Sequence, residues 1–388
     1  MSPPRGKIIV FGIVFWYPLA GVTWQFLHYL IGLRKLGWDV YYIEDSARMI
    51  YDAATNDYTY DWASTGNVER LGAVLDAYGF ARKWAARCHY DYRIWGMTEA
   101  QLAQVYREAD AFLNVTGGQE ILDEHQRIPR KIYVETDPVK TEILVAQGNE
   151  NMITTLEAHD THFTFGENLG AADCGVPVMR YNWKPTRQPV ALELWPWDDS
   201  PGHAYSTVAT WDNKANGIEW QGEHYGWSKR PEFLKLMDLP ARRQVPFEVA
   251  AGVPPEDHAQ FTAHGWRLRD SLEVSRDAES YRRYIASSRA EFTVAKEQNI
   301  RLRSGWFSDR SCCYLAAGRP AINQDTAFGN VLPIGKGLFS FRTMEDVLVA
   351  VDAIESDYEG HRRAAREIAE EYFAAEKVMK SLCDRAGL

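Results

Sequence analysis

Hydrophobic and polar positions alternate along the chain in blocks that predict strands followed by helices. The first block, Lys7 to Val14, is an unbroken apolar run, typical of a parallel strand covered on both faces. Apolar residues then recur at helical spacing from Val22 to Leu36, and Gly37 ends this helix before a second strand, Asp39 to Ile43. Strand, helix and strand in this order predict a βαβ unit.

The same alternation continues to residue 165 and restarts after a proline-rich stretch. Further strands are predicted at Ala111 to Val115, Lys131 to Val134, Thr161 to Phe165, Ser206 to Trp211, Val245 to Ala250, Glu291 to Ala295, Ala321 to Asn323 and Gly337 to Phe341. Helices are predicted at Thr98 to Glu108, from Pro231, at Asp277 to Ser288, at Thr343 to Ile354 and at Tyr358 to Cys383, and residues 46–70 and 212–226 are predicted excursions. Residues 181–202 hold four prolines, which interrupt regular structure. We therefore predict two Rossmann-like, doubly wound α/β domains, residues 1–195 and 203–360, followed by a helical segment, residues 361–388.

Polar residues follow several of these predicted strands. Thr116-Gly117-Gly118, Glu135-Thr136-Asp137 and Glu167-Asn168 each come directly after an apolar run. Ligands of open parallel sheets bind at the carboxyl ends of the strands, so we expect these segments to line one cleft. Asp137 precedes a proline, which favours an extended, exposed conformation, and His159 beside Asp160 is a further candidate base.

Residues 303–330 predict a loop, a helix, a tight stop and a strand. Ser308 is in the position of a helix N-cap, and Gly318 stands where a left-handed residue ends a helix. The free N–H groups of such a helix start favour an anion, and Arg310 and Ser311 would add to its binding. Asp309, in the same first turn, would compete with the anion.

This segment resembles the diphosphate-binding segment of GT-B glycosyltransferases, in particular the group 1, family 4-like type. The likeness rests on Ala316-Ala317-Gly318-Arg319-Pro320 and on the glycine loop that follows, residues 324–329. It implies two Rossmann-like domains that face a cleft, with the C-terminal helix crossing back to the first domain. It also implies transfer of a sugar from a nucleoside-diphosphate sugar, with a UDP-sugar as the first expectation. Many members of the family carry two glutamates at positions comparable to Gly305 and Cys313, so this chain must hold its donor differently.

The resemblance and the predicted strand ends together give expected roles to individual residues. The donor diphosphate is expected at Ser308, Asp309, Arg310, Ser311, Lys229 and Lys296, and the donor sugar at Asp325 and Thr326. The cleft loops on the acceptor side are expected to include Gly21, Thr23, Gly117, Gly118, Glu167 and Asn168. The candidate bases are Asp137, Glu135 and His159. The family favours retention of the anomeric configuration, and without the glutamate pair the sequence leaves retention and inversion open.

Composition excludes several other classes of protein. The net charge of −10 disfavours general nucleic-acid binding, and the basic cluster at residues 282–303 is predicted to be a solvated face. The five cysteines have no zinc-site spacing, and no acidic or histidine metal motif is present, so we predict a reduced, cytoplasmic protein without a catalytic metal or membrane span. The first βαβ unit lacks the GxGxxG motif, which disfavours a nicotinamide dehydrogenase.

The sequence leaves three alternatives to a glycosyltransferase with an unidentified acceptor. A sugar-nucleotide epimerase of the same fold would need paired acid and base carboxylates but no acceptor. A nucleotide-sugar-binding protein without activity would explain the altered donor segment. A DNA glycosyltransferase shares the fold, but the negative net charge argues against it.

Overall fold

The computed structural model describes residues 4–213 and 216–388 and contains two large, mainly parallel sheets. The strands of the amino-terminal part are β1 (Lys7–Phe11), β2 (Asp39–Ser46), β3 (Ile50–Asp52), β4 (Asp57–Thr59), β5 (Trp84–Cys88), β6 (Ile94–Trp95), β7 (Ala111–Val115), β8 (Arg130–Glu135), β9 (Thr161–Thr164) and β10 (Trp183–Pro185). Its helices are α1 (Ala20–Lys35), α2 (Asn67–Leu75), α3 (Glu99–Glu108), α4 (Asp123–Gln126), α5 (Lys140–Ala146) and α6 (Glu150–Glu157). The first sheet has the order β10-β9-β8-β7-β1-β2-β5-β6, while β3 and β4 form a separate hairpin.

The second sheet is built from the carboxyl-terminal part of the chain. Its strands and those of a small hairpin are β11 (Tyr205–Val208), β12 (Ile218–Trp220), β13 (Glu223–Tyr225), β14 (Phe247–Ala250), β15 (Arg267–Arg269), β16 (Ala290–Thr293), β17 (Ala321–Gln324) and β18 (Leu338–Phe341). The helices are α7 (Arg230–Leu234), α8 (Leu239–Arg242), α9 (Pro255–Ala263), α10 (Ser271–Val274), α11 (Ala278–Ala286), α12 (Glu297–Arg301), α13 (Asp309–Ala316), α14 (Met344–Ser356), α15 (Tyr358–Ile368) and α16 (Ala375–Ala386). The sheet order is β15-β14-β11-β16-β17-β18, and every pairing in it is parallel.

Helix α1 lies at the centre of the molecule and joins the two parts. It is apolar nearly all round, because it packs on the first sheet on one side and on carboxyl-terminal helices on the other. The indole of Trp24 is tilted against the Trp195 ring, with the ring centres 5.1 Å apart, and donates a hydrogen bond to the carbonyl of Ala278 in α11. Since these contacts are buried, they hold the two sheets in one arrangement and fix the cleft between them.

The C-terminal helix crosses back onto the amino-terminal part, as expected. The segment predicted as one helix from Tyr358 to Cys383 is α15, a π-helical turn at Ala369–Phe373, and α16. Helix α16 packs against α1, and the lack of a side chain at Gly32 lets the two helices approach closely. Within the described residues no helix has the length and apolar character needed to cross a membrane.

Two local details differ from the prediction. The proline-rich stretch is not irregular throughout, because Trp183–Pro185 forms β10 and pairs in parallel with β9. The edge strand β15 is absent from the prediction, since its sequence, Arg-Leu-Arg, has too few apolar residues to signal burial. The two predicted excursions contain hairpins, β3–β4 within 46–70 and β12–β13 within 212–226, and residues 214 and 215 lie outside the described part.

Candidate functional site

A cleft with a volume of about 1070 Å³ separates the carboxyl ends of the strands of the two sheets. The first sheet contributes the segments after β7 and β8, including Thr116, Glu135 and Asp137. The second sheet contributes the segments after β11 and β16 and the start of α13. The expected convergence of strand ends is therefore present for β7 and β8.

Arg310 presents its guanidinium from the first turn of α13 and is fixed on three sides. Its Nε donates to the Glu291 carboxylate at 2.6 Å, Nη2 donates to the Thr293 hydroxyl at 2.9 Å, and Nη1 donates to the Val208 carbonyl at 2.6 Å. Glu291 is fully buried, so this ion pair is shielded from solvent screening. The guanidinium is thereby oriented before any ligand binds.

Lys229 brings a second positive group to the same point. It is 6% exposed, and its Nζ lies 3.4 Å from the Thr293 hydroxyl that also accepts from Arg310. Burial lowers the pKa of Lys229 well below its usual value, and the neighbouring Arg310 charge lowers it further. A lowered pKa favours the uncharged amine, and an anionic ligand beside Lys229 and Arg310 would favour the charged form of Lys229 and pair with it.

Lys296 and Asp137 form an ion pair across the cleft. Lys296 Nζ lies 2.6 Å from Asp137 Oδ2 and 3.3 Å from the centre of the Trp227 ring, and the Trp227 indole donates to the same oxygen at 2.8 Å. Burial lowers the pKa of Lys296, and the Asp137 carboxylate offsets part of this. The other oxygen, Asp137 Oδ1, is buried and has no hydrogen-bond donor among the described residues. It is thus free to accept a proton or hydrogen bond from a ligand.

Asp309 and Ser308 form the amino-terminal end of α13 in the cleft wall. Ser308 occupies the N-cap position, but its side chain accepts no hydrogen bond from the first turn. Burial raises the pKa of Asp309 to about 7, and the Asp137 charge adds to this, while Arg310 acts in the opposite direction. Near neutral pH the competing negative charge at this helix end is therefore partly removed.

Glu135 is paired with a second buried carboxyl group, Glu142. The Thr164 hydroxyl donates to Glu135 Oε2 at 2.7 Å, and the backbone N–H of Val139 donates to Glu142 Oε2 at 2.8 Å. Both Oε1 atoms are buried without another donor in the part of the chain described. Burial raises the pKa of both groups, and the charge of Glu142 raises the pKa of Glu135 further. A raised pKa favours the protonated form of Glu135, which makes it a weaker candidate for a base than its position alone suggests.

Several residues expected in the donor site lie elsewhere. Ser311 is fully buried and accepts from the Asn323 amide, because it faces β17 while Ser308 faces the cleft. Asp325 is held by Arg303 at 3.1 Å and by Arg342 at 2.6 Å. Its neighbour in the chain, Thr326, donates its hydroxyl to the Trp306 carbonyl and lines a smaller cavity behind the cleft.

Of the residues predicted on the acceptor side, some line the cleft and others do not. Gly21 lines the cleft, opposite Tyr281, whereas the hydroxyl of Thr23 is bonded within α1 to the carbonyl of Leu19. Gly117 and Gly118 follow β7 behind Thr116, which itself lines the cleft.

Glu167 and Asn168 instead join the two halves of the molecule or brace its edge. Glu167 pairs with Arg187 at 2.5 Å, and burial raises its pKa. The Asn168 side-chain amide donates to the Arg303 carbonyl at 2.8 Å, and the Asn168 backbone N–H donates to the Ser304 carbonyl at 3.1 Å. Both contacts cross between the amino- and carboxyl-terminal parts.

His159 lies outside the cleft lining. Its Nδ1 bonds the Thr155 carbonyl at 2.8 Å, its Nε2 bonds the Asn114 amide at 3.1 Å, and it packs edge-on against Tyr133. Burial lowers its pKa to about 4, so it is a neutral core histidine. Sequence reasoning missed Glu142, Glu291 and Trp227, because nothing local distinguishes a residue that contacts the site only through the tertiary fold.

The group among the described residues that could hold a metal ion is Asp45, Glu124 and His125. The Arg87 guanidinium already lies in this group and pairs with Asp45 Oδ2 at 2.6 Å and with Glu124. Tyr106 also donates to Asp45 at 2.7 Å. The carboxylate of Asp45 is thus satisfied by protein donors, and the cluster fastens the end of β2.

No family model and no curated protein matches the chain. Among solved structures it is similar to an alpha-glucosyltransferase in complex with UDP and a 13-mer DNA containing a central A:G mismatch, with 11% identity over 99% of both chains and a TM-score of 0.57. An alpha-glucosyltransferase in complex with UDP-glucose and DNA containing an abasic site is similar at 12% identity over 99% of this chain and 100% of the other, with a TM-score of 0.59. HepE of Anabaena, in complex with UDP and glucose, has 10% identity over 99% and 100% of the two chains and a TM-score of 0.57. The chain therefore has the GT-B fold, as the sequence resemblance implied.

Proposed function

We propose that this protein is a glycosyltransferase that moves a sugar from a nucleoside-diphosphate sugar, UDP-sugar first, to an acceptor hydroxyl. The observation that carries the proposal is the convergence of Lys229 and Arg310 on Thr293 at the wall of the cleft. Helix α13 begins at the same place, and its backbone N–H groups favour an anion. Solved structures of the same fold contain UDP, which supports a UDP-sugar as the first donor to test.

In the proposed reaction the acceptor oxygen forms a bond to the donor's anomeric carbon while the bond from that carbon to the phosphate oxygen breaks. The nucleoside diphosphate leaves with the electron pair, and Lys229 and Arg310 stabilise the charge that develops on it. These fixed cations would supply the charge that a metal ion provides elsewhere, so we expect UDP binding to persist in EDTA. Asp137 Oδ1 is the group proposed to accept the proton of the acceptor hydroxyl.

Lys229→Met gives the sharpest test of the donor site. A buried cation costs desolvation energy, so its removal should leave the melting temperature unchanged or raise it, yet the affinity for UDP should fall by about tenfold or more. Calorimetric titration with a panel of nucleoside diphosphates, together with thermal unfolding, measures both quantities. Lys235→Met is the matched control, because that lysine is exposed and its ion pair, with Glu232, lies outside the cleft lining.

Asp137 and Arg310 variants complete the experiment. Asp137→Ala should keep UDP affinity but lose transfer, whereas Arg310→Ala should lose both. If no nucleoside diphosphate binds the parent protein, the proposal is wrong. Conversion of the UDP-sugar to an isomer without any acceptor would instead identify an epimerase, and binding without turnover an inactive binding protein.

DNA is the acceptor class that must be considered, because some of the similar structures contain it. The chain carries a net charge of −10. This net charge repels a phosphate backbone, so we propose a non-nucleic-acid acceptor. Binding of a DNA duplex with an affinity that falls steeply as the salt concentration rises would contradict this proposal.

A further inference from the structure

Arg48, which follows β2, is a partly buried arginine that has no ion pair among the described residues. Its guanidinium stacks on the Trp16 ring at 4.4 Å, and it forms no salt bridge with any described residue. Glu44 and Glu120 lie close enough to influence it, but the Glu44 carboxylate accepts from the backbone N–H groups of Phe15 and Trp16. The five donors of the guanidinium are therefore available to a ligand.

Arg48 lies at the edge of the cleft, beside Gly118. A Cβ on Gly118 would stand 3.6 Å from Arg48 Nη1, 3.2 Å from the Thr116 hydroxyl and 2.4 Å from Ile13. Both Thr116 and Ile13 line the cleft. The lack of a side chain at position 118 thus leaves the guanidinium and the hydroxyl close to each other.

Thr116 supplies a second polar group without a partner. Its hydroxyl oxygen is buried and unbonded within the described ranges, and its φ of +70° is strained for a β-branched residue. A buried hydroxyl without a hydrogen bond is costly, and backbone strain of this kind is concentrated at ligand sites. A ligand atom that accepts from Thr116 would remove this cost.

A row of aromatic rings connects Arg48 with the interior of the cleft. The ring centres are 4.7 Å apart for Trp16 and Tyr17, 6.2 Å for Tyr17 and Tyr58, and 5.6 Å for Tyr58 and Tyr51. Tyr51 lines the cleft from the β3–β4 hairpin. Aromatic faces with polar rims are suited to the apolar faces of sugar rings.

We propose that the acceptor is an acidic sugar whose carboxylate or phosphate is bound by the Arg48 guanidinium and the Thr116 hydroxyl. The planar fork of arginine matches both anions, and the sugar ring packs against the aromatic row. A hydroxyl oxygen of this acceptor sugar forms the new bond to the anomeric carbon of the transferred sugar, and the proton of that hydroxyl passes to Asp137. This inference rests on the proposed glycosyltransferase function and names its acceptor class.

The test measures binding of glucuronic acid, glucose 6-phosphate and glucose to the full-length protein saturated with UDP. At least one acidic sugar should bind about tenfold or more tightly than glucose, and the carboxylate and phosphate arms show which anion is preferred. UDP binding is measured first and alone, so failure of the donor site is distinguished from failure of the acceptor inference. A parent protein that binds UDP but shows no preference for either acidic sugar would overturn the proposal.

Two variants assign the preference to the named groups. Arg48→Gln should abolish the preference for the acidic sugar while UDP affinity stays unchanged. Thr116→Val should weaken the same preference, because valine has the shape of threonine but lacks the hydroxyl. Arg5→Gln is the matched control, since Arg5 also lies over a tryptophan, Trp38 at 5.7 Å, but precedes β1 and so lies at the amino-terminal end of that strand, opposite the cleft. Loss of preference in Arg5→Gln, or its persistence in both cleft variants, would contradict the assignment.

Discussion

Thr293 is the residue at which the charges of the candidate donor site meet. Its hydroxyl lies between the Arg310 guanidinium and the Lys229 amino group, and the buried Glu291 carboxylate pairs with the guanidinium. The sequence predicted a cation at the start of α13. It did not predict the pairing of that cation with Glu291, because Glu291 lies in β16, a separate segment of the chain. The affinity of this site for an anion therefore depends on contacts between β16, α7 and α13.

The titration of Asp309 gives a prediction at this scale. Its pKa is raised to about 7, so the carboxyl group is neutral below this pH and charged above it. Since a diphosphate at the start of α13 would be repelled by the charged form, UDP affinity should fall severalfold as the pH rises from about 6 to about 8. Calorimetric titration across this range measures the effect.

Asp309→Asn separates this effect from the titration of UDP itself. The variant should bind UDP more tightly than the parent above about pH 7, and the two affinities should converge at lower pH. The same sign applies to stability: with a raised folded-state pKa, the contribution of Asp309 is present at acidic pH and lost as the pH rises through about 7. A constant ratio of the two affinities at all pH values would contradict this account.

At the scale of the element, helix α13 ends as its sequence predicts. Gly318 has a φ of +67°, in the left-handed region, and its N–H and that of Arg319 donate to carbonyls of the last turn. A Cβ at this position would also lie 2.6 Å from the Trp197 ring. The short turn directs the chain into β17 and so fixes the direction of the helix whose start faces the cleft.

Gly318→Ala should consequently lower the free energy of unfolding by about 2–4 kcal/mol, from left-handed strain together with the clash with Trp197. Denaturant unfolding measures the loss. Gly148→Ala is the control, because Gly148 has a φ of +74° but no atom within 4 Å of the added methyl group. It should cost only the strain, about 1 kcal/mol. Equal losses for both variants would show that the contact with Trp197 adds nothing.

At the scale of the whole molecule, the cleft depends on contacts that are distant in sequence. Helix α16 packs on α1, the Trp306 indole donates to the Thr136 carbonyl at 3.0 Å, and Asn168 bonds the Arg303 carbonyl. Each joins the amino-terminal part to the carboxyl-terminal part. The apposition of Asp137 and Lys296 follows from these contacts.

The packing of α16 on α1 is tested by Gly32→Val. A Cβ at position 32 would lie 2.8 Å from Met379 and 3.0 Å from Ala375, so the larger residue should destabilise the protein by about 1–3 kcal/mol although glycine is the poorer helix former. Protease digestion should then release the C-terminal segment more rapidly. Lys35→Ala, which removes surface ion pairs with Glu193 and Glu376 at the same interface, should change stability by less than about 1 kcal/mol.

The sequence by itself determined the local structure and the class of fold. Strand β7 has the predicted bounds, Thr98 and Thr343 cap α3 and α14, and Gly318 ends α13, because apolar periodicity, caps and left-handed glycines are properties of neighbouring residues. The βαβ order then limited the topology to parallel sheets with ligands at the strand ends.

Only the tertiary structure decided which polar residues face the cleft. Ser308 lines it, whereas Ser311, one turn further along the same helix, faces the core, and His159 proved to be a neutral core residue. Asp137 and Lys296 are 159 positions apart in sequence, so no local pattern could indicate their ion pair. Side-chain function depends on distances between separate segments, and those distances are set when the two sheets pack around α1.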